Sequence, residues 1–107
     1  MIKTSELTGA ALDWAVAKCE GIEFRKDDVR FRGAYARKYS TDWAQGGPII
    51  EREKIGLFFD RACGNRWRAN HITAPYQIAQ TPLIAAMRCY CCATLGDEIN
   101  IPEELCP

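Results

Sequence analysis

The sequence predicts a small α+β domain, in which an antiparallel sheet of about four strands is flanked by an N-terminal and a C-terminal helix. Apolar residues recur at helical spacing near both ends of the chain, and between these segments they alternate with polar residues as in half-buried strands. This order of elements is typical of the α+β class. Since 107 residues provide room for one modest core, we expect a single globular domain over residues 1–107.

The first predicted element is a helix over residues 5–20, with Thr4 or Ser5 as its N-cap. Gly21 follows at the position where a helix C-terminal glycine is expected. Beyond it, two alternating sets of residues, one with Val29, Phe31 and Tyr35 and the other with Arg30 and Arg32, predict a half-buried strand over residues 29–36. The apolar stripe of the helix consists of Leu7, Ala11, Leu12, Ala15, Val16 and Cys19.

The middle of the chain predicts a β-hairpin. Residues 55–59 alternate in polarity, Gly64 and Asn65 give a tight-turn signal, and residues 66–73 alternate again. The following residues, 74–80, contain Pro75, which cannot donate to a strand ladder. We therefore expect a loop or an irregular edge there.

The last predicted helix has the clearest boundaries in the sequence. Thr81 is expected to cap it, Pro82 suits its first turn, and Gly96 ends it. The tail over residues 99–107 is predicted to be extended and to pack against the body of the domain. The apolar face of the helix consists of Leu83, Ile84, Met87, Tyr90, Cys91 and Leu95.

Charge and hydropathy exclude several classes of protein. Lys plus Arg and Asp plus Glu number 14 each, so no global field points to nucleic acid or to a membrane surface. No apolar run approaches the roughly 20 residues needed to cross a bilayer. The N-terminus lacks the apolar block of a secretion signal, so we expect a cytosolic protein that does not bind membranes.

The six cysteines have a structural interpretation in a reducing compartment. Three of them crowd residues 89–92, but no second pair of Cys or His residues follows at zinc spacing, and His71 is the only histidine. We therefore expect small buried hydrophobic residues there, with no metal site and no cofactor.

The candidate ligand site lies in residues 41–51. Gly46 and Gly47 permit a sharp turn, and Pro48 is suited to the first position of a short helix over residues 49–54, whose unpaired amides could hold an anion. Trp43 could stack on a flat ring. The same residues also suit a plain structural turn with Trp43 at the edge of the core, and this alternative stays open. The predicted residues for a small anionic or nucleotide-like ligand are Asp42, Trp43, Gly46, Gly47, Pro48, Glu51, Arg52 and Arg88.

Catalysis and direct nucleic-acid binding have weaker support in the sequence. His71 is not accompanied by a nucleophile motif, so we predict no catalytic residues and no enzymatic activity. Nucleic-acid binding would depend on the basic residues of 30–38. Because acidic residues at 23–28 dilute their field, we interpret them as a solvated strand face.

Five segments of the chain resemble one known family. Residues 5–17, 40–53, 81–88, 95–98 and 101–105 are similar to members of the phage NinX family, and together they span nearly the whole chain. The resemblance implies a phage or prophage accessory protein that works in the host cytoplasm. It implies no particular reaction.

The residues and the resemblance together lead to two functional hypotheses. The first is a non-catalytic binding protein for a small anionic or nucleotide-like ligand. The alternative is a protein–protein modulator of a host or phage factor, anchored by exposed aromatic side chains. Self-association into a homodimer would use the same surfaces.

Overall fold

The computed structural model describes residues 1–22, 37–102 and 105. Within these residues the helices are α1 (Gly9–Cys19), α2 (Trp43–Glu53) and α3 (Pro82–Leu95). The strands are β1 (Ile2–Lys3), β2 (Gly56–Asp60), β3 (Arg66–His71), β4 (Ala74–Ala79) and β5 (Glu98–Ile99). Short 3-10 turns cover Thr4–Glu6 and Arg61–Cys63.

The described strands form two antiparallel sheets. β2, β3 and β4 make a three-stranded sheet in chain order, whereas β1 pairs with β5 and joins residues 2–3 to residues 98–99. The predicted α+β class is confirmed, although the expected sheet of about four strands is a three-stranded sheet with a separate pair. The strand predicted over residues 29–36 lies outside the described residues.

The hairpin between β2 and β3 confirms the turn predicted at Gly64 and Asn65. Both residues have positive φ angles, of 76° and 58°, which is the left-handed conformation that such turn residues adopt most readily. Asp60 and Arg66 face each other where the two strands meet the turn.

β4 decides between the two alternatives predicted for residues 74–80, a loop or an irregular edge, in favour of an irregular edge strand. The segment pairs with β3 as an edge strand, because this pairing buries Gln77 and Ala79 on one face. The irregularity expected from Pro75 is present as a register shift opposite the stretch from Ala69 to His71. A bulge at an edge tolerates proline, since the missing N–H is not needed there.

α1 begins later than predicted. Thr8 is its N-cap, and Thr4, one of the two expected caps, lies in the preceding 3-10 turn. The Oγ1 of Thr4 donates instead to the carbonyl oxygens of Gly96 or Asp97, each at 3.1 Å. Thr4 therefore ties this turn to the end of α3 rather than capping a helix.

α2 begins earlier than predicted, and the prediction that Pro48 occupies its first position is wrong. Asp42 is the N-cap, and Gly46, Gly47 and Pro48 lie inside the helix. The physical reason is the N-cap, because Asp42 Oδ1 accepts from the Ala44 amide at 2.9 Å and Gln45 Nε2 holds the same carboxylate through Oδ2 at 3.0 Å. The cap starts the helix several residues before the glycines.

α3 lies at the centre of the core and confirms its predicted boundaries. Thr81 Oγ1 accepts from the Ile84 amide at 3.2 Å, Pro82 is the first helical residue, and Gly96 ends the helix with a φ of 90°. The helix packs against α1, α2 and the three-stranded sheet, so few of its side chains reach solvent. No helix in the described part of the chain is long and apolar enough to cross a membrane.

Candidate functional site

The start of α2 holds two of the predicted ligand-binding residues. Asp42 Oδ1 accepts from the backbone amide of Ala44 at 2.9 Å, and Trp43 is the first helical residue, with 52% of its surface exposed. Because the carboxylate of Asp42 already satisfies an amide of this helix start, an incoming anion would meet a negative charge there. The geometry expected for an anion site is therefore not found at this end of the helix.

Gly46, Gly47 and Pro48 lie one turn further along α2. The Gly46 amide donates to the Asp42 carbonyl at 2.9 Å, and Pro48 has no amide hydrogen. Gly46 is buried, whereas Pro48 and Glu51 are exposed. These residues thus form a helix interior and not a phosphate cradle, and their role in binding stays a prediction.

Arg52, another predicted residue, is held in an ion-pair network. Its Nη1 and Nη2 donate to the two carboxylate oxygens of Glu20 at 3.1 and 2.6 Å, and Nη2 also donates to Tyr90 Oη at 3.0 Å. Tyr90 Oη in turn donates to Glu20 Oε2 at 2.6 Å. The charge of Arg52 is therefore compensated within the protein. The same network joins α2 and α3 to Glu20, the residue that follows α1.

The network shifts the ionisation of its members in opposite directions. Hydrogen bonding from Arg52 lowers the pKa of the Glu20 carboxyl. Burial raises the pKa of the Tyr90 hydroxyl, and its hydrogen bond to Glu20 raises it further. At neutral pH the cluster therefore contains an ionised glutamate, a cationic arginine and a neutral tyrosine.

His71 is the imidazole available for acid–base chemistry. Its Nδ1 accepts from the Thr73 amide at 3.1 Å and lies 2.9 Å from Thr73 Oγ1, while Nε2 lies 3.5 Å from Glu53 Oε1. The hydrogen bond from the Thr73 amide engages Nδ1, the nitrogen that would have to take the proton if the Thr73 hydroxyl acted as a nucleophile. We interpret the arrangement as a stabilised turn between β3 and β4.

Arg88 is separated from the other predicted ligand-binding residues. Its Nε donates to the Leu7 carbonyl at 2.7 Å, and its Nη1 donates to the Ile78 carbonyl at 3.0 Å. Positions 88 and 90 of α3 point in directions roughly 160° apart, and Tyr90 faces Arg52. The structure thus places Arg88 on the opposite side of α3 from the Arg52 network.

Arg88 lines a groove that the sequence analysis did not identify. Two adjacent cavities, of about 220 and about 450 Å³, run beside the edge strand β4 and share Arg66 and Arg88 in their walls. We refer to their combined space as the arginine groove. Its other described lining residues are Ser5, Thr8, Pro75, Tyr76, Gln77, Ile78, Ala79, Gln80 and Ile84.

The arginine groove is electropositive. Arg66 and Arg88 line both of its cavities. Burial lowers the pKa of the Arg88 guanidinium, and the positive charge of Arg66 lowers it further. Among the described lining residues, none carries a carboxylate. An anion in this space would be attracted by two guanidinium groups.

The sequence contained only part of the signal for this groove. Arg66 lies in the predicted second strand of the hairpin, and Arg88 is among the residues predicted for a different site. They are far apart in the sequence and on different elements, so no local pattern pairs them. The folding of β4 against α3 brings them together.

In the described part of the chain, no group of three or more His, Cys, Asp or Glu side chains is placed to hold a metal ion. The cysteines of α3 are packed in the interior, and Cys89 and Cys91 are fully buried. Burial raises the pKa of the Cys89 thiol to about 11, so this group is a neutral core side chain at physiological pH.

By its fold and its groove, the chain is a small α+β protein with a basic groove beside the edge strand of a three-stranded sheet. The family model described as bacteriophage P22, NinX matches residues 3–93, so the chain belongs to the phage NinX family. The match covers α1, α2, the whole three-stranded sheet and α3 as far as residue 93, and it confirms the resemblance to this family seen in the sequence. The protein is therefore a phage accessory protein. No curated relative matches the chain.

Proposed function

We propose that this protein is a non-catalytic accessory protein of the infected host cytoplasm that binds a small anionic, nucleotide-like ligand in the arginine groove. The observation that supports the proposal most directly is the pairing of Arg66 and Arg88 in a groove whose described walls carry no carboxylate. The predicted set of ligand-binding residues contributes Arg88 to this site. The segment from Asp42 to Arg52 lies elsewhere.

The orientation of Arg88 favours phosphate as the anion. Two backbone carbonyls hold its Nε and Nη1, and its Nη2 makes no hydrogen bond to the described part of the chain. A guanidinium held in this way loses little side-chain entropy when an oxyanion binds. Arg66 is exposed and can complete a two-cation clamp on a phosphate group.

The rest of the groove suits the other parts of a nucleotide. Tyr76 offers a ring for a base, and Thr8 and Gln80 offer polar groups to a sugar or phosphate. Thr8 is the N-cap of α1, yet its side chain makes no capping hydrogen bond. Its hydroxyl is therefore available to a ligand.

The proposal is tested by titrating the ¹⁵N-labelled full chain with adenosine diphosphate and, separately, with inorganic pyrophosphate. We expect saturable shifts of the Nε–H signals of Arg66 and Arg88. The Arg66→Gln variant should weaken binding by about tenfold, because a hydrogen bond to a charged group contributes about 1.5–3 kcal/mol. The Arg88→Lys variant keeps the charge but loses the planar fork, and it should also bind less tightly.

Lys18→Gln is the matched control, since Lys18 is an exposed cation near the opposite end of α1 from Thr8. This variant should bind both probes like the unmodified protein. If neither probe produces saturable shifts of Arg66 or Arg88 at millimolar concentration, the arginine groove is not an anion site and the proposal is wrong.

The alternative, a protein–protein modulator, is favoured by exposed apolar side chains. Ile72, in the turn between β3 and β4, is 96% exposed, and Trp43 is half exposed on α2. Exposed residues of this kind can serve as anchors for a partner. Affinity purification from infected cells with Ile72→Asp and Trp43→Ala should then lose a partner that the unmodified chain retains. Retention of the same partners by both variants would count against this alternative.

A further inference from the structure

The outer face of the three-stranded sheet, the one turned away from α3, carries an aromatic surface. Phe58 on β2, Arg68 on β3 and Ile78 on β4 are paired in register, and Tyr76 lies two residues before Ile78 on the same strand. Phe58 is 40% exposed and Tyr76 is 49% exposed. Two aromatic rings therefore face solvent from the two outer strands of this sheet.

Arg68 fills the space between these rings. Its guanidinium carbon lies 5.2 Å from the ring centroid of Phe58 and 4.1 Å from that of Tyr76. Its Nε lies 3.5 Å from Asp60 Oδ2, which orients the group over the sheet. Adjacent strands are about 4.8 Å apart, so β2 and β4 are separated by roughly 10 Å, a span that Arg68 bridges. We call Phe58, Arg68 and Tyr76 the stacking platform.

The stacking platform is continuous with the arginine groove, because Tyr76 belongs to both. Tyr76 lines the same cavity as Arg66 and Arg88. A polymer that placed a phosphate between those arginines would therefore pass directly onto the aromatic surface. Rings and cations alternate here as bases and phosphates do along a nucleic-acid strand.

We propose that the arginine groove and the stacking platform together bind a short single strand of nucleic acid, with phosphates at Arg66 and Arg88 and bases stacked on Tyr76 and Phe58. This inference deepens the proposed function and rests on it, since it identifies the nucleotide-like ligand as part of a strand. The surface is different from the basic segment at residues 30–38 that the sequence analysis considered for nucleic acid.

A single strand fits this surface better than a duplex does. The flat faces of bases in a duplex are covered by their neighbours, whereas single strands expose them to aromatic side chains and to arginine planes. A lone nucleotide at Tyr76 and the two arginines would not reach Phe58, since β2 and β4 are separated by roughly 10 Å. The distance between the two rings is therefore the structural reason to expect a ligand longer than one nucleotide.

The neutral net charge of the chain is compatible with this proposal, because the relevant charges are local. Arg66, Arg68 and Arg88 lie on or beside the sheet face, and Asp60 is the acidic residue paired with Arg68. The phosphate contacts that this surface can make are therefore few. We expect moderate affinity with a shallow salt dependence, since each phosphate contact adds about 0.7 to the slope for a single strand.

The test uses fluorescence anisotropy with a labelled oligothymidylate and an oligouridylate of about eight nucleotides, the matching duplex, and thymidine monophosphate as competitor. We expect both single strands to bind more tightly than the mononucleotide and the duplex. Phe58→Val and Tyr76→Val keep the preference for β structure but remove the ring, and each should weaken strand binding by at least about fivefold. Arg66→Gln should lower the salt slope by about 0.7.

Phe59→Val is the matched aromatic control, because Phe59 is 46% exposed and adjacent to Phe58 on β2, but its side chain points to the opposite face of the sheet. It should bind the strands like the unmodified protein. Circular dichroism and thermal unfolding of every variant establish that the fold is retained. Phe58→Leu provides a second, milder substitution should Phe58→Val unfold.

The outcomes separate this inference from the proposed function. If thymidine monophosphate binds at the arginines but the strands bind no more tightly and ignore Phe58→Val, the strand proposal is wrong and the nucleotide site remains. Equal binding of duplex and single strand would also overturn it. If neither strands nor mononucleotides bind, both proposals fall.

Discussion

Gly46 lies where α2 comes closest to its neighbours. A Cβ atom at this position would lie 2.6 Å from Leu83 Cδ1 and would overlap the backbone carbonyl oxygen of Tyr39. A side chain can rotate away, but a backbone oxygen in a packed segment cannot do so easily. Gly46 is therefore needed for close approach and not for an unusual backbone angle.

The neighbouring glycine provides a matched pair for the first prediction. Gly46→Ala should lower the free energy of unfolding by at least about 2 kcal/mol, because overpacking of this kind typically costs about 1–3 kcal/mol and here involves backbone. Gly47→Ala should change it by less than about 1 kcal/mol, since its Cβ would meet only Trp43 Cε3, at 4.0 Å. Urea unfolding measures both. Equal destabilisation by the two variants would contradict the packing described for Gly46.

The described cysteines should differ strongly in reactivity. A hydrogen bond from Cys91 lowers the pKa of the Cys19 thiol, whereas burial raises the pKa of Cys89 to about 11. Because the thiolate is the nucleophile, iodoacetamide at pH 8 should modify Cys19 before Cys89 and Cys91. Peptide mass spectrometry measures the order.

The Cys91→Ala variant controls for the cause of this difference. It removes the hydrogen bond to Cys19, so the pKa of Cys19 should rise and its alkylation should slow. If Cys89 in the unmodified native protein reacts as fast as Cys19, the interior packing of α3 is not as described.

At the scale of the element, α2 shows how capping and packing override residue preference. Two glycines and a proline are poor residues for a helix interior, and an internal proline alone costs about 3 kcal/mol. The helix forms because Asp42, held in place by Gln45, caps its start and because Ile49 is buried in the core. Gln45 also accepts from the Lys38 amide at 3.0 Å, which fixes the approach to the helix.

The start of α2 can be located by mutation. Asp42→Ala should lower the free energy of unfolding by about 1 kcal/mol, the typical cost of losing an N-cap, whereas Asp42→Asn should retain nearly all of it. Chemical denaturation followed by circular dichroism gives both values. If the helix began at Pro48 instead, Asp42→Ala would be close to neutral.

The edge strand β4 is protected from pairing with other chains by side-chain and sequence features. Arg88 Nη1 donates to the Ile78 carbonyl at 3.0 Å, and Pro75 removes a backbone donor near the start of the strand. A charged side chain and a proline are common ways to block an edge. The same arginine therefore protects the edge and lines the arginine groove.

At the scale of the whole molecule, the network of Glu20, Arg52 and Tyr90 joins α2 and α3 to the C-cap residue of α1. Its pH dependence follows from the direction of the Glu20 shift. The folded-state pKa of Glu20 lies below its usual value of 4.5, so its contribution to stability is fully present above pH 4.5. The contribution is lost as the pH falls through the lowered folded-state pKa.

The Glu20→Gln variant measures this contribution. At pH 7 it should be less stable than the unmodified protein by up to about 1 kcal/mol, because the pair is bidentate but partly exposed. The difference should shrink as the pH falls below 4.5 and Glu20 in the unmodified protein becomes protonated. Denaturation at pH 7 and at acidic pH tests the prediction. A difference independent of pH would show that Glu20 stabilises by packing and not by charge.

Several elements could be predicted because their signals are local. α3 begins at the Thr81 cap and Pro82 and ends at Gly96, as the capping preferences of these residues predict. The hairpin turn contains Gly64 and Asn65, both with positive φ angles. The start of α2 also had a local signal, the spacing of Asp42 and Gln45, which the adjacent glycines and proline outweighed in our interpretation. The local signal for β4 was weaker, because Pro75 disfavours a strand except at the edge of a sheet.

The sequence by itself determined the α+β class, the boundaries of α3, the hairpin and the resemblance to the phage NinX family, because each depends on neighbouring residues or on the chain as a whole. Only the tertiary structure decided that Arg66 and Arg88 share a groove and that Arg52 is neutralised by Glu20. These contacts join residues far apart in the chain. Their partners are set by how the helices and sheet pack, which no local spacing of residue types encodes.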